Sequence, residues 1–157
     1  MRVFLSSTYE DLTEHRITVE ASFAMSGIDY NAMEHFGSNP RPPIQTCLTA
    51  LDASDVFVGV LGVRYGGCPR GGLQSYTERE YRHARTRNVP IFMFLIDERN
   101  AAVPPQHIIG ETPQQQTRLQ SFKNFACRHH TVTFFRTPDD LARLVLASLI
   151  RELGVLP

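Results

Sequence analysis

Two carboxylates near the start of one helical segment, Glu78 and Glu80 in Ser75-Tyr76-Thr77-Glu78-Arg79-Glu80-Tyr81-Arg82-His83-Ala84, are the residues of this chain best suited to chemistry. They follow an apolar run, Asp55-Val56-Phe57-Val58-Gly59-Val60-Leu61-Gly62, and a glycine-rich loop. A strand, a loop and then an acid-bearing helix is how an open α/β sheet presents a carboxylate at the edge of a ligand crevice. The two acids cannot share one role, because residues two apart on a helix point about 200° from one another. Ser75-x-x-Glu78 has the form of a capping box, a structural use for Glu78. Glu80 lies on the stripe of Thr77, Tyr81, Ala84 and Asn88 that packs toward the sheet, so it is the catalytic candidate, with Glu78 the alternative.

The chemistry that fits an inward carboxylate is attack on, or stabilisation of, an anomeric carbon while a base leaves, since an oxocarbenium-like transition state needs an anion beneath the sugar. Nicotinamide bound to ribose in NAD already carries a positive charge on its ring nitrogen, so it leaves without a dedicated general acid. The competing reading of Glu80 is a buried carboxylate paired with Arg64 or Arg82. Ser6, Ser7 and Thr8 end the first strand, where hydroxyls and backbone amides could take a phosphate or a ribose hydroxyl, or could only cap the next helix. Asp11 and Arg16 would complete that wall or form a solvated helical pair. Gly62, Arg64, Tyr65 and Gly66 open the loop expected to overhang the site, and Tyr65 or Tyr76 could stack on a base.

The elements that must position these groups follow from periodicity. Arg2–Leu5 reads as a first strand stopping at Ser6-Ser7-Thr8, and Tyr9–Met25 as a helix with Ser7 or Thr8 as cap. Ile28–Phe36 reads as a weaker second strand with His35 as a polar edge residue near its end. A loop punctuated by Pro40, Pro42 and Pro43 leads to an amphipathic helix over Ile44–Ala53. Val56–Val63 is apolar at every position, as a strand buried on both faces of a parallel sheet requires. The glycines between Arg64 and Gln74 predict a mobile loop. Ser75–Arg87 predicts a helix, Pro90–Ile96 a strand, 97–113 a long connection, Gln114–Cys127 a polar helix, His130–Phe135 a fifth strand and Pro138–Leu153 a terminal helix capped by Thr137. Five strands alternating with five helices predict an α/β, flavodoxin-like three-layer sandwich with a five-stranded parallel sheet in the order 2-1-3-4-5. That order sets the ends of strands one and three side by side.

A length of 157 residues fits one domain over 1–157. Sixteen basic residues balance sixteen acidic ones, which gives no footprint for a nucleic-acid polymer or an anionic membrane surface, and favours a small nucleotide. Cys47, Cys68 and Cys127 lack both zinc-site spacing and the density of a disulfide scaffold, so a reducing, cytoplasmic setting is expected. The longest apolar runs are about eight residues against the ~20 of a membrane span. His129-His130 has no Cys, Asp or Glu at ligand spacing, so no metal is expected. No Ser-His-Asp elbow, phosphate-binding Walker loop or GxGxxG fingerprint is present.

The opening Val3-Phe4-Leu5-Ser6-Ser7-Thr8-Tyr9-Glu10-Asp11-Leu12 with Arg16, then Ser54–Gly66, then Ser75-Tyr76-Thr77-Glu78-Arg79-Glu80-Tyr81, resembles the domain of unknown function 4062 family. Members typically sit at the N-terminus of large STAND-type NTPases with repeat tails. The resemblance implies a TIR-like signalling or effector module, with downstream NTPase and repeat domains of the same chain as partners and self-association on activation. The termination at Gly154-Val155-Leu156-Pro157 directly after a helix fits a chain that continues. The segment is also similar to nucleoside deoxyribosyltransferases, whose nucleophilic Glu, following alanine and Gly-Lys-Pro match Glu80, Ala84 and Asn88-Val89-Pro90 in spacing. Arg82 stands where those enzymes carry Gly, and the chain has no Trp where TIR enzymes carry one near the catalytic Glu. The implied activity is NAD or nucleotide N-glycosidase, with the nucleotide as substrate and no tightly bound cofactor. The alternative is a non-catalytic interaction and oligomerisation module.

Overall fold

A computed structural model describes residues 1–33, 38 and 42–154. The sheet is built from β1 (Arg2–Ser7), β2 (Asp29–Ala32), β3 (Val56–Leu61), β4 (Ile91–Ile96) and β5 (Thr133–Phe135). All four pairings are parallel and the order is β2-β1-β3-β4-β5, the arrangement expected from the alternation of strand and helix. Parallel neighbours need crossovers, and the helices that supply them cover both faces. β3 is buried at all six positions, which is why its sequence shows no alternation.

The helices are α1 (Thr13–Met25), α2 (Pro43–Asp52), α3 (Tyr76–Thr86), α4 (Pro105–Ile109), α5 (Pro113–His129) and α6 (Pro138–Leu153). Val19 and Phe23 of α1 and Leu141, Val145 and Leu149 of α6 pack with Val3, Leu5, Val58 and Val60 on one face of the sheet. Cys47 and Leu51 of α2, Tyr81 and Ala84 of α3, and Phe122 and Ala126 of α5 pack with Phe4, Phe57 and Met93 on the other. Cys47 is thus a packed thiol, while Cys68 and Cys127 are exposed.

Several boundaries differ from expectation for physical reasons. β1 runs on through Ser6 and Ser7, which pair with Gly59 and Val60 of β3. Its polar end belongs to the ladder because neighbouring β3 is long enough to hold it. α1 begins at Thr13 with no side-chain cap; the Thr8 hydroxyl donates to Asp11 Oδ1 and that of Ser7 to the Thr8 carbonyl, so neither caps the helix. β2 covers Asp29–Ala32, and the continuation expected through Phe36, with His35, lies outside the described residues, as does Pro40. β5 is only three residues long and starts at Thr133 because α5 persists through His129. α4, inside the expected long connection, is set by Pro105 at its first position and buries no side chain. No helix among the described residues is long and apolar enough to cross a membrane.

Candidate functional site

The C-terminal tips of β1 and β3 adjoin where strand order reverses, the place where open α/β sheets form ligand crevices. A cleft of about 520 Å³ opens there. The segment after β1 contributes Ser7, Thr8, Tyr9 and Glu10; α1 adds Arg16; the β3–α3 loop adds Arg64, Gly66 and Gly67; the first turn of α3 adds Tyr76 and Thr77. Met33, Glu111 and Gln115 close the remaining sides.

One carboxylate clasps the two tips together. Asp11 Oδ2 accepts the backbone N–H groups of Val63 (2.8 Å) and Arg64 (3.1 Å), while Oδ1 accepts from Thr8. Gly62 is required for this approach: a Cβ there would collide with Asp11 Oδ2 and crowd Leu12. Gly66, at φ +83°, likewise lets the loop lie against Thr8, whose Cγ2 would be 2.6 Å from an added Cβ. Arg16 is buried and donates from Nη1 to Ser7 Oγ at 2.6 Å, so it is part of the wall and not a solvated helical residue.

Glu80 is 4% exposed, and its Oε2 accepts the Ser6 hydroxyl at 2.5 Å. Helix α3 therefore aims this carboxylate at the tip of β1, as its stripe predicted. Neither Glu80 nor Ser6 lines the cleft, whereas Ser7, next to Ser6 on β1, and Thr77, one turn before Glu80 on α3, do. Arg64 and Arg82, the two arginines weighed as partners of Glu80, each meet other carboxylates. Arg82 binds Glu78 Oε1 through Nε and Nη2 at 2.9 and 2.7 Å, and Arg64 lies 3.0 Å from Glu10 and 3.4 Å from Glu111.

Glu78 takes a structural place. Its N–H donates to Ser75 Oγ, the first half of the expected capping box. The second half is replaced: the Ser75 N–H donates to the Tyr65 hydroxyl (3.1 Å), which itself donates to Glu78 Oε2 (2.6 Å). Tyr65 is therefore 2% exposed and absent from the cleft lining; Tyr76 alone of the two expected tyrosines lines it. Burial, and then the hydrogen bond to Glu78, push the Tyr65 phenol up to about 12. The Arg64–Gln74 loop, expected to move freely, is anchored at its start by these bonds and by Glu111.

Glu111 is one of the cleft residues that sequence reasoning missed, with Tyr9, Glu10 and Gln115. Its side chain is 1% exposed, its Oε2 accepts the Tyr65 N–H at 3.1 Å, and its Oε1 faces the Arg64 guanidinium. A local signal fixes where α5 begins, though not the partners of Glu111. Thr112 and Gln115 form a complete capping box at the start of α5, and the residue before a cap is directed by the helix it precedes.

Residues 2–150 match the family described as Domain of unknown function (DUF4062). The chain belongs to this family. No match among curated proteins was found. In this DUF4062 domain the three stretches that carried the resemblance converge. The segment after β1, the end of β3 and the start of α3 surround one cleft. Among the described residues no group of three His, Cys, Asp or Glu side chains could hold a metal ion. His130 instead packs its ring edge-on against Tyr81.

Proposed function

We propose that this domain binds a ribose-bearing nucleotide in the cleft and cleaves its N-glycosidic bond through Glu80, acting as the effector module of a larger STAND-type signalling protein that self-associates on activation. The observation that carries this reading is the buried Glu80 carboxylate held by Ser6 at the tip of β1, whose next residue, Ser7, lines a cleft together with two arginines. Arg16 and Arg64 supply positive charge for phosphates, Ser7 and Thr8 supply partners for ribose hydroxyls, and Tyr76 supplies a ring for a base.

In NAD the bond between the anomeric carbon and the pyridinium nitrogen breaks, and its electron pair leaves on nicotinamide, which departs neutral. Positive charge then grows on the ribosyl carbon, and the Glu80 carboxylate either stabilises it or bonds to it. Water later adds at the same carbon, freeing the carboxylate and a proton. Ser6 must turn its hydroxyl aside for direct attack, which makes that residue the positioning element of the site.

The second reading, a non-catalytic docking and oligomerisation module, is favoured by the absence of Glu80 from the residues that line the cleft. One experiment separates the two. The domain is fused to an oligomerising partner, incubated with NAD, and nicotinamide release is followed by chromatography. Glu80→Gln is expected to lose at least about 10²-fold in rate, while Glu78→Gln, once its folded fraction is normalised by circular dichroism, retains turnover. No release from clustered wild-type protein, or equal rates for wild type and Glu80→Gln, rejects the glycosidase.

A further inference from the structure

A second concave surface lies between α3 and α5, on the sheet face away from α1 and α6. It is a groove of about 430 Å³ whose walls include Arg82, Arg118 and Arg128 and whose floor is Phe122 and Phe125. Leu73, 74% exposed, stands at its edge. The guanidinium carbons of Arg82, Arg85 and Arg128 lie 4.8, 4.9 and 6.0 Å from the centroid of the single Phe125 ring. Like charges gathered at this spacing repel, and the ring quadrupole relieves only part of that repulsion.

Helices α3 and α5 expose no carboxylate of their own that would relieve the rest. α5 contains no Asp or Glu over its whole length, and both acids of α3, Glu78 and Glu80, are buried. Arg82 is neutralised by Glu78, and Lys123 by Glu98. Among the described residues Arg79, Arg85, Arg118 and Arg128 form no ion pair. The surplus also registers on its neighbours: burial first, and then the positive field of Arg85, holds His130 below the ordinary histidine range. In a chain of zero net charge, this is a concentrated excess, with acids such as Glu14, Glu20, Asp139 and Asp140 carried by α1 and α6 on the opposite face.

We propose that the α3–α5 groove docks an acidic segment of a protein partner, one in which carboxylates alternate with aliphatic side chains. Guanidinium forks recognise carboxylates in two-pronged geometry, and the exposed Leu73 at the rim receives the aliphatic positions between them. A nucleic-acid strand fits less well. The face of Phe125 is already occupied by guanidiniums, which leaves no platform for base stacking, and the neutral chain lacks the extended positive field that polymer binding uses. This surface is independent of the cleft chemistry, so either proposal survives the failure of the other.

The test is fluorescence anisotropy with the whole domain and a labelled peptide of alternating Glu and Leu, beside its Gln-for-Glu counterpart. Wild type is expected to bind the acidic peptide, with affinity falling as salt rises, and not the Gln peptide. The double variant Arg85→Glu/Arg128→Glu should bind at least about tenfold more weakly. Arg143→Glu on α6 should bind as wild type does. The milder pair Arg85→Gln/Arg128→Gln, checked by thermal unfolding, replaces the first if that does not fold. Equal binding of both peptides or insensitivity to the arginine variants overturns the proposal. So does equally tight, variant-sensitive binding of single-stranded DNA of about 20 nucleotides, which would mark a general polyanion surface. Self-association that is abolished by the same arginine variants and that the acidic peptide fails to compete would assign the groove to a second copy instead.

Discussion

The cleft and the α3–α5 groove are both rich in arginine, yet their arginines do different work. In the cleft, Arg64 is 18% exposed in its side chain and meets Glu10, Glu111 and the His107 carbonyl; Arg16 is buried against Ser7. In the groove, Arg85 and Arg128 lie over an aromatic ring with no carboxylate beside them. A cation can be taken out of water only with partners that replace its hydration. The cleft arginines are therefore held in position by internal partners, whereas Arg85 and Arg128 have, among the described residues, no carboxylate of this chain to balance them.

That contrast is sharpest in stability. Glu111→Gln keeps the shape but removes the buried charge facing Arg64, and it is expected to cost about 2 kcal/mol, below the value for a fully buried pair because Arg64 retains solvent and Glu10. Arg128→Gln should change stability by less than about 0.5 kcal/mol. Urea unfolding of the two variants checks both numbers, and equal losses would erase the distinction.

A middle-sized effect belongs to Tyr65, which separates the two regions. Tyr65→Phe leaves the Ser75 N–H and Glu78 without their shared hydroxyl and should cost about 1–2 kcal/mol. The folded protein favours the protonated phenol, so its contribution is fully present below pH 10, the ordinary tyrosine value, and is lost as pH rises toward about 12. Unfolding of wild type should therefore become easier over that interval by more than unfolding of Tyr65→Phe does, and parallel pH curves would show that the hydroxyl is not held as described. The smallest effect is electrostatic: Arg85→Gln removes positive field from His130 and should move its titration upward, as followed by NMR of the imidazole ring.

Much of the frame was legible in the sequence. The unbroken apolar run at Val56–Leu61 and its counterpart at Ile91–Ile96 announce central parallel strands, and their alternation with helices yields the observed order. The inward direction of Glu80 followed from helical spacing alone. What the sequence concealed depended on contacts between distant segments. Tyr65 looked like a ring for stacking because nothing local shows that Glu78, thirteen residues on, holds its hydroxyl. Glu111 sat in an apparent loop because its partners, Arg64 and the Tyr65 amide, lie after β3, 46 positions or more earlier in the chain. The groove escaped notice because a balanced total charge says nothing about where each sign is placed.

The Asp11 clasp sets when the ligand site can come into being during folding. Its acceptor oxygen and the amides of residues 63 and 64 are separated by 52 and 53 positions, so the loop between them must close before either bond forms, and such distant contacts are slow to assemble. The hydrophobic layers can gather first, but a nascent chain that has not yet released β3 has no cleft. The cleft is thus a property of the finished sheet, since it needs both strand tips in place.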